Sequence, residues 1–148
     1  MYIFLNDRFV QKDEALISVF DHGFLYGDGI YETLRAYGGR IFMLAQHLAR
    51  LQRSARLIGL EIPIPEKDWP SLLSDAMTRN ELRDAYLRIT VSRGTGDLGL
   101  DPALCPKPTV VIIAKPFQID KGYVAIPTGP GLGIEVNEDA VKKYILKK

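Results

Sequence analysis

A chain of 148 residues with 47% hydrophobic and 25% charged side chains has the composition of one ordinary globular domain with a hydrophobic core, and two full domains would be a squeeze. Its formal net charge of +1 supplies no general field for nucleic acid or a membrane surface, so a partner must be recognised locally. One cysteine, Cys105, precludes an internal disulfide and reads as a packing or loop thiol. The apolar run Tyr2-Ile3-Phe4-Leu5 is broken at once by Asn6-Asp7-Arg8, far short of a signal peptide or membrane span, so a cytoplasmic location is expected.

Residues 2 to 19 read as short strands: Tyr2 to Leu5, a turn at Asn6-Asp7, Phe9-Val10, then Ala15 to Val19. Asp21-His22-Gly23 punctuates the chain. Gly23, Gly27 and Gly29 recur through an aromatic stretch with no clean periodicity, a spacing that lets backbone approach something closely. The plainer alternative is a tight connection between strands. From Ile30 to Met43 the pattern is a β-hairpin turning at Tyr37-Gly38-Gly39-Arg40. Alternation puts Tyr31, Thr33, Arg35 and Tyr37 on one face and Ile30, Leu34 and Ala36 on the other, with Glu32 as the exception on the apolar side.

Leu44 to Gly59 is the clearest helix: Leu44, Leu48, Leu51, Ala55 and Ile58 recur at threes and fours, and Gly59 stands where a C-terminal cap is expected. Its polar side carries His47, Arg50, Arg53, Ser54 and Arg56. His47, Arg50 and Ser54 line up and could meet one anion, although a charged helical face is often only solvated. A stiff connector, Glu61 to Pro65, leads to a second helix over Glu66 to Leu82 with Trp69, Leu72, Leu73, Ala76 and Met77 as its core stripe.

Ala85 to Ser92 then alternates as a strand, with Leu87, Ile89 and Val91 opposed to Tyr86, Arg88, Thr90 and Ser92. An arginine beside a tyrosine there suits a bidentate grip on a carboxylate, against the alternative of an exposed sheet face. A loop over Arg93 to Pro102 precedes Thr109 to Ala114, an apolar run typical of a fully buried central strand. The whole suggests an α+β two-layer sandwich: a mixed or antiparallel sheet with two main helices on one face. No metal-ligand spacing and no Ser-His-Asp arrangement stands out.

Taken together, DHGFLYGDGIYETLRAYGGRIF, HLARLQRSARLIGLEIP, DAYLRITVSRGTGDLGLDP and PKPTVVIIAKPF resemble, in order and spacing, the small N-terminal domain of fold-type IV pyridoxal-phosphate (PLP) enzymes. These are the branched-chain aminotransferases and their aminodeoxychorismate lyase relatives, and the resemblance covers roughly residues 1 to 118. It implies that Arg50 holds the phosphate of PLP and that Tyr26, Tyr31, Arg35, Tyr86 and Arg88 are substrate-side contacts for a small amino or keto acid. The Tyr-x-Arg pair is more like the branched-chain enzymes than the D-amino-acid ones.

No counterpart of the family's second domain, which carries the lysine that holds the cofactor, is expected in these residues, and neither Lys115 nor Lys121 sits in a similar motif. Gly122 to Tyr144, with its PTGPGLGIEV, is instead similar to the extreme C-terminus of sugar-acid dehydratases of the enolase superfamily, a closing piece without a catalytic group. The two resemblances meet near Gln118 and imply a fused or engineered chain, with residues 1–118 an aminotransferase-like small domain and 119–148 a tail packing on it. The expectation is a folded domain, catalytically incompetent alone and with PLP not stably bound. The alternatives are an active branched-chain aminotransferase whose lysine comes from a partner chain, and a non-enzymatic interaction module whose exposed apolar face drives homo-oligomerisation.

Overall fold

The computed structural model of the protein describes residues 1–117. Six strands form one sheet: β1 (Tyr2–Leu5), β2 (Arg8–Gln11), β3 (Gly29–Tyr37), β4 (Arg40–Ile41), β5 (Ala85–Ser92) and β6 (Thr109–Pro116), in the order β2-β1-β6-β5-β3-β4. Every pairing is antiparallel. Two helices, α2 (Leu44–Leu57) and α3 (Trp69–Arg79), cover one face, and a short α1 (His22–Tyr26) lies between β2 and β3.

The elements follow from local chemistry. Asn6 takes a left-handed φ of 59° in the β1–β2 turn, a conformation its short polar side chain tolerates, and that side chain accepts a hydrogen bond from the Val110 N–H at 2.9 Å. Helix α2 buries Leu48, Leu51 and Ala55, and Gly59 follows its end in the left-handed region as expected. The core joins these residues to Trp69, Leu73 and Met77 of α3 and to Leu34, Leu87, Ile89, Val91, Val110 and Ile112 of the sheet. The α+β two-layer architecture with both main helices on one face is therefore the one observed.

Two expectations fail. Ala15 to Val19 forms no strand, because β2 is followed by a 3-10 turn (Lys12–Glu14) and, among the described residues, no strand runs beside the segment to take its backbone bonds; Leu16 is 76% exposed. The β6 run is not buried on both faces either. Val110, Ile112 and Ala114 are in the core, while Val111 and Ile113 are half-buried on the face opposite the helices. The glycine-rich stretch makes the expected close backbone approach at two positions, and takes the plainer form at Gly27, whose φ of 68° ends α1 with open space around it. Gly23 sits in α1 against β5, where a β-carbon would lie 2.5 Å from Ser92 Cβ, and one at Gly29 would lie 2.8 Å from the Val91 carbonyl oxygen. The expected tail over 119–148 lies outside the described residues.

Candidate functional site

The sheet face away from the helices gathers the polar residues of β3 and β5. Cross-strand register sets Arg35 opposite Tyr86, Thr33 opposite Arg88 and Tyr31 opposite Thr90, while Lys115 of β6 stands beside Tyr86. The cations lie on rings. The Arg88 guanidinium is 4.2 Å from the centroid of Tyr31, that of Arg35 is 4.5 Å from Phe117, and Lys115 Nζ is 5.1 Å from Tyr86. Arg88 Nε also donates to Thr90 Oγ1 at 3.4 Å, and the hydroxyls of Thr33 and Tyr86 share a hydrogen bond of 3.4 Å. That bond, with Arg88 and Lys115 nearby, holds the Tyr86 phenol below the usual tyrosine range although desolvation acts the other way. Four of the expected substrate-side residues, Tyr31, Arg35, Tyr86 and Arg88, thus share one face, and Tyr31 is 63% exposed on it.

Tyr26 stands apart. Its ring packs edge-on against His22, and its hydroxyl accepts the Gly99 N–H at 3.0 Å, so within the described residues it braces the 93–102 loop and bonds to none of the other four. Beside Tyr31 a cleft of ≈ 390 Å³ opens, lined by Ile17, Phe24, Tyr31, Thr90, Ser92 and Val111 among others. Apolar walls with a few hydroxyls are the usual lining of a small-molecule site.

Glu32 points to the helix side and is 3% exposed. Its carboxylate is the anion that His47 and Arg50 meet. Arg50 donates through Nε to Oε2 at 2.8 Å and through Nη2 to Oε1, and His47 Nδ1 lies 2.9 Å from Oε1. Burial pushes the Glu32 carboxyl up, but the bonds from Arg50 and His47, the charge of Arg50 and the Thr33 N–H outweigh it and hold the group below its ordinary value. The same carboxylate holds the Arg50 guanidinium above its ordinary value. Ser54 makes no hydrogen bond to this cluster. The Arg50 side chain remains 56% exposed, and its Nη1 has no hydrogen-bond partner among the described residues.

The two clusters back onto one another across β3. On its outer side β4 pairs only with Ala36 and Tyr37, so the stretch of β3 that carries Tyr31, Glu32 and Thr33 is a free sheet edge among the described residues. Glu32 Oε1 curls round that edge to accept the Thr33 N–H at 3.2 Å.

Sequence reasoning passed over Arg93. It is 7% exposed and donates Nε to Asp28 Oδ2 at 2.9 Å, Nη1 to the Gly59 carbonyl at 2.7 Å and Nη2 to that of Ile58 at 2.8 Å. It therefore ties the end of β5 to the start of β3 and to the carbonyl end of α2. Its position at the head of a glycine-rich loop gave no periodicity signal. His22, also assigned no role, is buried and donates from Nε2 to the Asp97 carbonyl at 2.9 Å.

Comparison with known proteins gives these features a family. The model of the family described as "Amino-transferase class IV" matches residues 29–129. The chain is 49% identical over 117 residues to the "Putative branched-chain-amino-acid aminotransferase" of Methanocaldococcus jannaschii, covering 79% of this chain and 41% of that protein. It is 35% identical over 111 residues to the aminodeoxychorismate lyase of Bacillus subtilis, covering 74% of this chain and 38% of that one. Among solved structures, the T.th. branched-chain amino acid aminotransferase complexed with N-(5'-phosphopyridoxyl)-L-glutamate superimposes with a TM-score of 0.73 at 30% identity, over 78% of this chain and 40% of that one. The chain thus spans about two fifths of the length of these relatives.

Proposed function

The chain belongs to the class IV amino-transferase family, and from that premise we propose that it supplies the substrate-facing half-site of a PLP-dependent transaminase of the branched-chain type. One observation carries the reading. Strand β3 presents Tyr31 and Arg35 on one face and Glu32, with Arg50, on the other, and its edge at these residues is unpaired among the described residues. Arg88, laid over Tyr31 and flanked by Tyr86 and Thr90, offers a planar fork to a carboxylate. The apolar part of the adjoining cleft suits an aliphatic side chain. Tyr26 belongs to this reading as a contact made from the loop side.

The residues fit a phosphate at one contact, the outward edge of Arg50, and this is the group that would hold the cofactor's phosphate. When bound, PLP supplies the aldehyde that takes up and releases the amino group. We propose further that the 148 residues alone do not turn over and do not hold PLP stably. Lys115 is the lysine that β6 puts on this face, and its ammonium is engaged by the Tyr86 ring, 5.1 Å from the centroid. The alternative assigns the lysine to a partner chain.

Two titrations test the reading. Isovalerate should shift the amide and side-chain resonances around Arg88 and Tyr31 saturably, and Arg88→Ala should remove the effect; binding unchanged in that variant would defeat the assignment. Treatment with PLP and borohydride should fix the pyridoxyl group to no single lysine, and a stoichiometric adduct at one lysine with leucine turnover would reverse the claim of incompetence.

The exposed apolar stretch Leu16, Ile17, Val19, Phe20 and Phe24 favours a second, compatible reading, association of like chains through that surface. Light scattering across a range of concentrations checks it. The chimeric origin is also retained as a proposal, and the DNA around codons 115 to 125 tests it against both parent families.

A further inference from the structure

The cluster around Glu32 has an asymmetry that the Arg50 reading alone leaves unused. Its carboxylate Oε1 lies 2.9 Å from His47 Nδ1, and a carboxylate oxygen can only accept, so Nδ1 must carry the proton. Arg50 Nη2 lies 3.3 Å from that same Nδ1 and therefore cannot donate to it while the proton is there. The tautomer is thereby set by the buried acid. The other ring nitrogen, Nε2, points away from Glu32, and it has no hydrogen-bond partner among the described residues. His47 is partly open to solvent, with a side-chain exposure of 21%, and it lies three residues from Arg50 on the same side of α2.

We propose that Glu32 is a positioning residue for a two-pronged anion clamp: it aligns the Arg50 guanidinium and fixes His47 as the Nδ1–H form, so that Nε2 is a second contact for a phosphate monoester met by Arg50. The inference rests on the assignment of Arg50 to phosphate and adds to it a second ligand and the group that orients both.

Charge explains why a phosphate monoester suits the site. The charges of Glu32 and Arg50 cancel, so an anion gains its attraction from the outward guanidinium edge and from a hydrogen bond at Nε2. A phosphate monoester loses its second proton near pH 6, so around neutrality it can present either an O–H or a bare oxygen to a ring nitrogen. A single proton can therefore sit on either partner of the Nε2 contact, and the hydrogen bond forms in both arrangements. A carboxylate is already fully deprotonated there and makes the contact only with imidazolium. Arg53 and Arg56 add positive charge along the same helix, and Glu32 is the acid within bonding distance of His47.

The test uses the full 148-residue chain labelled with 15N, titrated with pyridoxamine 5'-phosphate, which has no aldehyde to react with lysines. Long-range 1H–15N spectra should show His47 as the Nδ1–H tautomer before ligand is added and a saturable shift of its Nε2 with ligand. His47→Gln should weaken binding roughly tenfold, as loss of one charge-assisted contact does. Glu32→Gln should release the tautomer preference and weaken binding by a similar factor, with Glu32→Asp restoring part of both; circular dichroism identifies any variant that fails to fold, and the tautomer in the unmutated chain is read regardless. Acetate should move Nε2 far less than the phosphate does.

An Nε2–H tautomer in the unmutated chain overturns the proposal, as does phosphate affinity unchanged by His47→Gln, or an equal response to acetate. If Arg50→Ala abolishes binding while His47→Gln does not, the clamp fails and the Arg50 assignment stands. If the unmutated chain gives no saturable shift, both fail, and the Arg88 carboxylate assignment is judged separately by isovalerate.

Discussion

Arg88 does more than place a positive charge on the sheet. Its guanidinium plane lies over Tyr31 while Nε is held by Thr90, so the remaining edge is oriented before any carboxylate arrives. Lysine would keep the charge and lose the plane and the fork. Arg88→Lys is therefore expected to weaken isovalerate binding roughly tenfold or more in an NMR titration, since bidentate, charge-assisted bonds are the strong ones. Glu32 leads to a pH prediction. A carboxyl whose folded value lies below its ordinary 4.5 adds stability that is fully present above that value and lost as pH falls through the lower folded one. The urea midpoint should accordingly decline as pH drops below about 4.5, and Glu32→Gln should flatten that part of the profile while lowering the midpoint at neutral pH. The residue itself was visible in the sequence as the misfit on an apolar face. Its partners were visible too, as a polar line on the helix, but their mutual contact was not, because nothing in local periodicity joins position 32 to positions 47 and 50.

At the scale of elements, alternation and helical spacing reveal what packs, and they miss what staples. Strands β3 and β5 and the helix α2 were legible because each buries one regular stripe. Ala15 to Val19 misled because its apolar residues have the strand-like composition but no neighbouring strand among the described residues, and β6 misled because apolar side chains on its second face look the same in sequence whether or not something covers them. Arg93 was illegible for the opposite reason: its partners are carbonyls and an aspartate brought together only by the fold. Arg93→Ala strips donors from two carbonyls at the end of α2 and leaves Asp28 without its cation, and it should cost on the order of 3 kcal/mol in urea unfolding. Arg93→Lys should recover only a minor part, because one ammonium cannot span three acceptors. The contact of α1 with β5 is a matter of space. Gly23→Ala should destabilise the domain by about 1–3 kcal/mol, and pairing it with Ser92→Gly, which removes the atom 2.5 Å from the new β-carbon, should restore much of the loss.

For the domain as a whole, the two faces of one sheet divide stability from recognition. The helix side holds Trp69, Leu73, Leu87, Ile89 and Ile112, all fully buried, whereas the other side holds Arg35, Tyr86, Arg88 and Lys115 over a patchwork of rings. Substitutions on the two faces should accordingly have opposite profiles. Trp69→Ala removes the largest buried side chain of the core and should cost about 3–5 kcal/mol, with isovalerate affinity per folded molecule unchanged. Arg35→Ala and Arg88→Ala should each shift stability by only about 0.5–1 kcal/mol, with Arg88→Ala abolishing the response to isovalerate. Urea denaturation and ligand titration on the same three variants decide the matter. A large stability loss from either arginine variant would mean that the polar face is part of the core after all, and that its stacked cations hold the sheet instead of waiting for an anion. Glu32 is the one residue for which both measurements should move together, since it is buried with the core and bonded to Arg50.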